Sequence, residues 1–410
     1  MKLSNNIITI ELKNSTVLYN TLSKEMLEID QSLTEIEGGI LSQQTINYLR
    51  EKSYFDNENE SYRKYLNLKN KIKYNQKIIS FIIHTNFTCN LKCDYCYQNN
   101  TKNGLRMSRQ DAQKVVKFIN DRIQKNDPEI VELVFLGGEP LLEINTIKYI
   151  LDEVQIPKKM KTSKSIITNG VLLDDKITSL LEDYNFQSVQ ITLDGDKICH
   201  DLFRVKHNGF GTFDEIIGNI SEFNERLPIA LNVNLNKSNK DSIKSLLNTI
   251  KRKKIKIHLS FSLVFEIDGY KFSHTLEYKD LTWLNIHKEA IKNGYKFEPF
   301  YRNTDFVCGS YKVNEYNISP DGKIYKCISG IGESKYLISD INDVDSIDYH
   351  TNTSQFIEND LFRNECKLCQ FKVHCGIQCN YKKTITKCYK QDILANDIEL
   401  IKYALESEKL

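Results

Sequence analysis

"TNFTCNLKCDYCYQNN", residues 85–100, places Cys89, Cys93 and Cys96 in a C-x3-C-x2-C pattern. Three thiols are too many for one disulfide. They are one short of the four ligands taken by structural zinc and by most iron–sulfur clusters. Two readings survive that count. The thiolates hold three corners of a cubane cluster and leave the fourth iron open to a small molecule, or they form a zinc knuckle that borrows a distant ligand. His84 is close in sequence but falls within the preceding strand. Context separates the two, because a motif carries chemistry only where the surrounding elements hold it.

The stretch follows directly on an apolar run, "IISFIIHT", and a rhythm begins there. Strand-like runs recur at "IVELVFLGG", "KSIITNG", "FQSVQITLDG", "IALNVNLN" and "IKIHLSFSL". Helical stretches lie between them: "SRQDAQKVVKFINDRIQ", "NTIKYILDEV", "DDKITSLLEDY", "TFDEIIGNISEFNERL" and "DSIKSLLNTIKRK". "DLTWLNIHKEAIKNGY" follows the sixth strand. Six strands alternating with helices predict parallel βα units. Continuous hydrophobic strands fit a sheet whose outer face is covered by helices. The Gly-bearing and polar turns fall after the strands, where α/β folds build their sites.

The length of 410 residues predicts two or three domains at roughly 150 residues each. Lys and Arg number 56 against 54 Asp and Glu, so the chain is near neutral, and nothing points to nucleic acid or a membrane surface. "KRKKIKIH" reads as a solvated helix end running into a strand, without the interleaved aromatics of a nucleic-acid patch. The first fifteen residues show no secretory signal, and no apolar run approaches the roughly 20 residues of a membrane span. The expectation is a cytoplasmic protein. There, eleven cysteines are poor disulfide candidates and lean towards metal.

In this context the loop resembles the signature of the radical S-adenosylmethionine (SAM) enzymes. The resemblance implies a [4Fe–4S] cluster on Cys89, Cys93 and Cys96 whose open iron is chelated by SAM. Reductive cleavage of SAM then yields a 5′-deoxyadenosyl radical that abstracts a hydrogen atom. "FLGGEPLL" resembles the family's G-G-E-P motif, which assigns Gly137, Gly138 and Glu139 to the methionine amino group. The glycines would let the backbone approach a ligand without Cβ obstruction. Thr168 and Asn169, at the end of "IITNG", are candidates for the lining, although turn chemistry explains that stretch nearly as well. "ITLDGDKICHDLFR" resembles the segment whose Ser or Thr, and an Arg twelve residues on, contact the ribose and carboxylate of SAM. Here these are Thr192 and Arg204, and Arg suits a planar carboxylate. By the same resemblance Tyr95 and Leu263 meet the adenine. Asp194 and His200 fit local turn and cap bonding as well as they fit a functional role. Cys199 reads as a packed or idle thiol.

Beyond residue 300 the rhythm stops and seven cysteines follow: Cys308, Cys327, Cys366, Cys369, Cys375, Cys379 and Cys388. Their spacing lacks the paired C-x2-C knuckles of a zinc ribbon. It resembles the SPASM domain of radical SAM peptide-modifying enzymes. That implies two auxiliary [4Fe–4S] clusters, one on Cys366, Cys369, Cys375 and Cys388, the other on Cys308, Cys327 and Cys379. The second set is one thiolate short, so its open iron could bind a substrate thiolate. The implied activity is formation of a thioether between cysteine sulfur and carbon in a ribosomally synthesised peptide, as in sactipeptide and ranthipeptide synthases. The closest rival is the anaerobic sulfatase-maturing enzyme, which forms formylglycine. That group carries an Asp after its second SPASM cysteine, as a proposed base, whereas Cys327 is followed by Ile328, which cannot take a proton. Carbon–carbon cross-linking and epimerisation stay open. So does a non-enzymatic reading, a zinc-stabilised peptide-binding protein.

The expected fold is α/β, a partial (β/α)6 radical SAM barrel. Residues 1–75 form a small N-terminal α+β module, 76–300 the radical SAM core, and 301–410 the SPASM domain with a C-terminal helix. In the module, "NIITIEL" and "TVLYNTL" predict a hairpin, and "SKEMLEIDQSL" and "QQTINYLREKSY" predict helices. "DNENESYRKYLNLKNKIKYNQ" predicts a linker or an exposed helix. The module either grips a leader peptide or caps the barrel. The partners expected are a cysteine-containing precursor peptide with a leader and a flavodoxin- or ferredoxin-like electron donor.

Overall fold

The structure is a computed structural model that describes residues 2–56, 58–99, 103–264, 282–295, 307–344, 347–358, 367–370, 372 and 390–407. The chain divides into two compact units. One comprises residues 1–74, 278–308 and 359–410, the other 75–277 and 309–358.

The first unit opens with the strands β1 (Ile7–Glu11), β2 (Thr16–Asn20) and β3 (Met26–Ile29), an antiparallel sheet in the order β1-β2-β3. The predicted hairpin is present. The stretch 23–33, predicted helical, contains β3 instead, because Met26 to Ile29 pair with Tyr19 to Thr16 and close the sheet. Cross-strand pairing outweighs a helical period that spans about three turns. Helices α1 (Leu33–Gly38) and α2 (Gln43–Glu51) follow. Ser32 and Glu35 form a capping box on α1, and Ser42 caps α2 through Thr45 N. Ile7, Leu18, Ile29, Ile36, Leu49 and Tyr54 make the core of this unit. The polar stretch after residue 56 is the helix α3 (Glu58–Lys73), which buries Tyr65 completely. Helix Thr282–Lys292, attached by sequence rhythm to the sixth strand, packs on helix Lys390–Glu406 within this unit.

The second unit alternates strand and helix. Its elements are β4 (Ile78–His84), β5 (Leu91–Cys93), α4 (Arg109–Asn126), β6 (Ile130–Leu136), α5 (Ile144–Glu153), β7 (Lys161–Thr168), α6 (Asp175–Asp183) and β8 (Ser188–Thr192). Then come α7 (Lys197–Phe203), β9 (Arg204–Lys206), α8 (Phe213–Phe223), β10 (Ile229–Leu235), α9 (Ile243–Arg252) and β11 (His258–Leu263). The six expected strands β4, β6, β7, β8, β10 and β11 pair in parallel in chain order. The sheet continues past β4. Strand β12 (Glu315–Ile318) pairs with it in parallel, and β13 (Lys323–Tyr325) and β14 (Leu337–Asp340) extend the edge antiparallel.

Along these strands one face is apolar and buried, with Ile79, Phe81, Ile83, Val131, Leu133, Phe135, Val189, Ile191, Leu231, Val233 and Leu235 at the core. Phe81 of β4 meets Phe118 of α4 edge-on at 6.0 Å, and Phe118 meets Tyr316 of β12 at 5.3 Å, so α4 covers this face. The alternate positions break the continuous apolar run expected of these strands. Glu132, Ser163, Ser165, Gln190, Asn234, Ser260 and Ser262 are half-buried or exposed. The period of two therefore gives the sheet a wettable second face.

Candidate functional site

At the C-terminal ends of the parallel strands lies a cavity of about 370 Å³. Cys89, Cys93 and Cys96 all line it. So do Tyr95, Gly137, Gly138, Thr168, Asn169, Thr192, Arg204 and Leu263, eight of the nine non-cysteine residues singled out in the sequence. Glu139 lies outside the lining. It is fully buried, with Oε1 accepting from Thr168 Oγ1 at 2.7 Å and Leu141 N at 3.0 Å, and Oε2 from Asn169 N at 2.8 Å. Burial pushes its carboxyl above the usual range, and these donors pull it back. Glu139 thus braces the end of β7 from behind.

The structure adds a second reason for the two glycines. A Cβ on Gly137 would sit 2.6 Å from Asn86 O, and one on Gly138 would overlap the Thr88 carbonyl. The cysteine loop itself lies on this turn: Gly138 N and Glu139 N donate to Asn86 O at 3.0 Å and Thr88 O at 2.7 Å. Asn86 Nδ2 returns a bond to Glu139 O at 2.8 Å. The glycines seat the loop, and only then does the loop face the cavity.

Its other flank is also fixed. Short strands β5 and β9 pair antiparallel with Cys93 opposite Arg204. The His207 ring Nε2 reaches Cys89 O at 2.9 Å. Arg204 is 8% exposed, and its Nε has no hydrogen-bond partner. Its Nη1 donates to Tyr95 Oη at 2.9 Å, and the Tyr95 hydroxyl donates to Asp194 Oδ2. Burial opposes the charge on Arg204, but Tyr95, Cys93 and Asp194 hold it cationic. Asp194, fully buried, is pushed up by burial and drawn back by Arg204.

The donor set fits the cofactors expected of it. Three thiols from one loop, suited to iron–sulfur ligation, share a cavity with a buried guanidinium that keeps a spare N–H for an anion. Asn169 Nδ2 lies 3.8 Å and Leu91 N 3.4 Å from Cys89 Sγ, contacts of the kind that tune a bound cluster. Among the described residues no three His, Cys, Asp or Glu side chains converge as a single-ion site would need. Of the C-terminal cysteines, Cys308 is exposed, Cys327 buried and Cys369 half-buried. Cys366, Cys375, Cys379 and Cys388 lie outside the described residues.

Gln190, Asn232, Asn234 and Ser262 also line the cavity and were not singled out in the sequence. Ser262 Oγ donates to Asn232 Oδ1 at 2.8 Å, and Asn232 Nδ2 to Asn234 Oδ1 at 2.9 Å. The signal was there in "SVQIT", "IALNVNL" and "HLSFSL", where polar residues recur at every second position. Ile328, directly after Cys327, lines the cavity as well.

Residues 82–250 match the Radical SAM superfamily. The chain is 25% identical over 360 residues to the radical SAM cyclopropyl synthase TigE of Paramaledivibacter caminithermalis, covering 79% of this chain and 72% of that one. It is 25% identical over 325 residues to the cysteine-type anaerobic sulfatase-maturating enzyme of Clostridium novyi, covering 72% and 86%. Streptococcus suis SuiB, solved bound to S-adenosylmethionine, shares the fold with a TM-score of 0.57 at 17% identity, over 95% of this chain and 98% of that one. SuiB has also been solved bound to its precursor peptide SuiA, with a TM-score of 0.55 at 18% identity over the same shares of both chains. The resemblance to the radical SAM enzymes is borne out over residues 82–250, and the relatives extend the likeness over most of the chain. No helix among the described residues is long and apolar enough to cross a membrane.

Proposed function

From a chain that carries a radical SAM domain over residues 82–250, we propose a radical SAM maturase that forms a cysteine sulfur-to-carbon thioether in a ribosomally synthesised peptide. The observation that carries the maturase reading is the meeting of Cys89, Cys93 and Cys96 with buried Arg204 around one cavity. A [4Fe–4S] cluster and SAM, when bound, supply the hydrogen-abstracting radical. The chain's own residues position and exclude. The three cysteines would hold the cluster, Arg204 would offer Nε to the SAM carboxylate, and Thr192, lining the same cavity, would meet the ribose. Tyr95 and Leu263 would contact the adenine. Gln190, Asn232, Asn234 and Ser262 present amides and a hydroxyl to the reacting segment.

The thioether reading rests on the C-terminal cysteines. Seven would hold two auxiliary clusters, four thiolates on one and three on the other, and the incomplete one could take the substrate thiolate. Residues 1–75 would serve the leader. The edges of their sheet, β1 and β3, suit addition of an extended peptide strand.

The Clostridium novyi relative favours a second reading, sulfatase maturation. Ile328 weighs against it, because it presents an apolar side chain to the cavity where that group's proposed base would stand. TigE, a cyclopropyl synthase by name, keeps carbon–carbon bond formation in view.

The test is anaerobic incubation of loaded enzyme, SAM, reductant and the cysteine-containing peptide encoded nearest the gene. Thioether formation removes two hydrogens and blocks alkylation of one cysteine. Loss of two hydrogens with every thiol still alkylated would move the assignment to carbon–carbon bonding. Unchanged mass with deuterium uptake at a Cα would mean epimerisation. Colourless protein with stoichiometric zinc and no iron after anaerobic preparation would overturn the enzyme reading.

A further inference from the structure

Asp194 and His200 looked equally suited to local turn bonding and to function, and Thr212 drew no notice. The structure joins them in one closed circuit of hydrogen bonds. Asp194 N–H donates to His200 Nδ1 at 3.2 Å, which assigns the ring proton to Nε2. Nε2 then donates to Thr212 Oγ1 at 3.0 Å. The Thr212 hydroxyl donates to Arg204 O at 2.8 Å. Arg204 Nη1 donates to Tyr95 Oη, and the Tyr95 hydroxyl donates back to Asp194 Oδ2. Every donor in the ring has one acceptor, and the directions agree all the way round. Asp194, His200 and Thr212 are each at most 1% exposed.

Two residues steady Asp194 from outside the ring, Asn234 of β10 at its carboxylate and Asn239, in the turn after β10, at its backbone carbonyl. Asn234 N donates to Asp194 Oδ1 at 3.2 Å, and Asn239 Nδ2 to Asp194 O at 3.2 Å. Asp194 Oδ2 and Arg204 Nη1 stand 4.0 Å apart with Tyr95 Oη bonded to both. A buried ion pair is a poor source of stability, since desolvation offsets most of its attraction. It is an effective device for fixing geometry when each group is satisfied. The one group left over is Arg204 Nε, buried, unpaired and beside the cavity. Tyr95 sits between Cys93 and Cys96, so the same carboxylate also governs the cysteine turn.

We propose that Asp194 is a positioning residue. It holds the Tyr95 hydroxyl and the Arg204 guanidinium in one arrangement, and so sets both the Cys93–Cys96 turn and the direction of the free Arg204 N–H towards a carboxylate-bearing ligand. This rests on the reading of the cavity as a SAM site. Asp194 would not touch SAM; it acts through Tyr95 and Arg204.

The test measures SAM affinity of the anaerobically loaded enzyme by equilibrium binding, with the EPR spectrum of the reduced cluster recorded with and without SAM. Asp194→Ala should weaken SAM binding about tenfold or more, the scale of a hydrogen bond to a charged group. Asp194→Asn keeps an acceptor for Tyr95 and should recover part of the loss. Tyr95→Phe should weaken binding too, and Tyr95→Phe with Asp194→Asn should do no worse than the poorer single variant, because one interaction is removed twice. Precursor-peptide affinity should stay within about twofold, the scatter expected of uncoupled sites. A merely structural Asp194 would lower peptide and SAM affinity together and give additive losses, and that result would overturn the proposal. So would wild-type SAM affinity and an unchanged EPR response in Asp194→Ala. If the alanine variant does not fold, Asp194→Asn and the double variant decide. If the wild-type loaded enzyme binds no SAM, the SAM-site reading fails first, and the two failures are told apart.

Discussion

Cys93 and Arg204 face each other as backbone partners in the β5–β9 ladder. The ligand-bearing loop and the cation expected to meet SAM therefore move as one piece. A substitution that disturbs one should be read out at the other.

The tightest point in that assembly is Gly138. A methyl there meets the Thr88 carbonyl, and backbone cannot rotate aside as a side chain can. Gly138→Ala should cost about 1–3 kcal/mol, as overpacking does. Because the strain falls one residue before Cys89, iron bound after reconstitution should drop as well. Chemical denaturation and iron analysis check both. Normal iron content would show that the loop is seated by something else.

Glu139 receives three donors in a fully buried place. Glu139→Gln keeps the shape but turns an NH2 towards at least one donor. The expected loss is about 1–3 kcal/mol for the bond that can no longer form. SAM affinity should fall with it, since Thr168 and Asn169 lose their brace. Thermal unfolding and SAM binding are the measurements. Wild-type values in both would remove Glu139 from the site.

His84 is fully buried, and neither ring nitrogen has a hydrogen-bond partner. Burial depresses its pKa to about 3. A depressed histidine favours the fold while neutral, so its contribution is present above about 6.5 and is lost as pH falls towards 3, by up to about 1.4 kcal/mol per pH unit. His200, lowered by burial and by Arg204, acts in the same direction. His84→Leu should flatten the acid limb of a stability-versus-pH curve and leave stability at pH 7.5 equal or higher. An unchanged acid limb would place the titration elsewhere.

On α2, Leu49 is completely buried in the same core cluster as Ile7, Leu18 and Tyr54. Leu49→Ala should cost about 2–5 kcal/mol through lost burial and a residual cavity. Exposed Glu51→Ala on the same helix should stay within about 0.5 kcal/mol. Denaturant midpoints of the two variants give the comparison.

The six parallel strands and most of their helices were legible because each spans a full period of apolar residues with polar or Gly-bearing turns between. The third strand of the N-terminal sheet was not, since four residues carry too little pattern and long-range pairing decides them. Strands β5 and β9 escaped for the same reason, at three residues each. The cysteines announced the site by type and spacing. Asn232, Asn234 and Ser262 did not, because a strand read as a continuous apolar run hides its alternation. The ring through Asp194 was beyond sequence reading altogether. Its five members lie between residues 95 and 212, and only folding brings their donors and acceptors into sequence.

Pairing of β12 with β4 also bears on how the chain is made. As synthesis proceeds, β4 gains β6 early, but its other edge stays open until Glu315–Ile318 emerges. For most of translation, then, the nascent chain exposes an unpaired, strongly apolar strand edge directly before the cysteine loop. Such edges invite pairing with other chains. The span from residue 85 to residue 314 is the interval in which a chaperone would be needed, and in which a truncated product would aggregate.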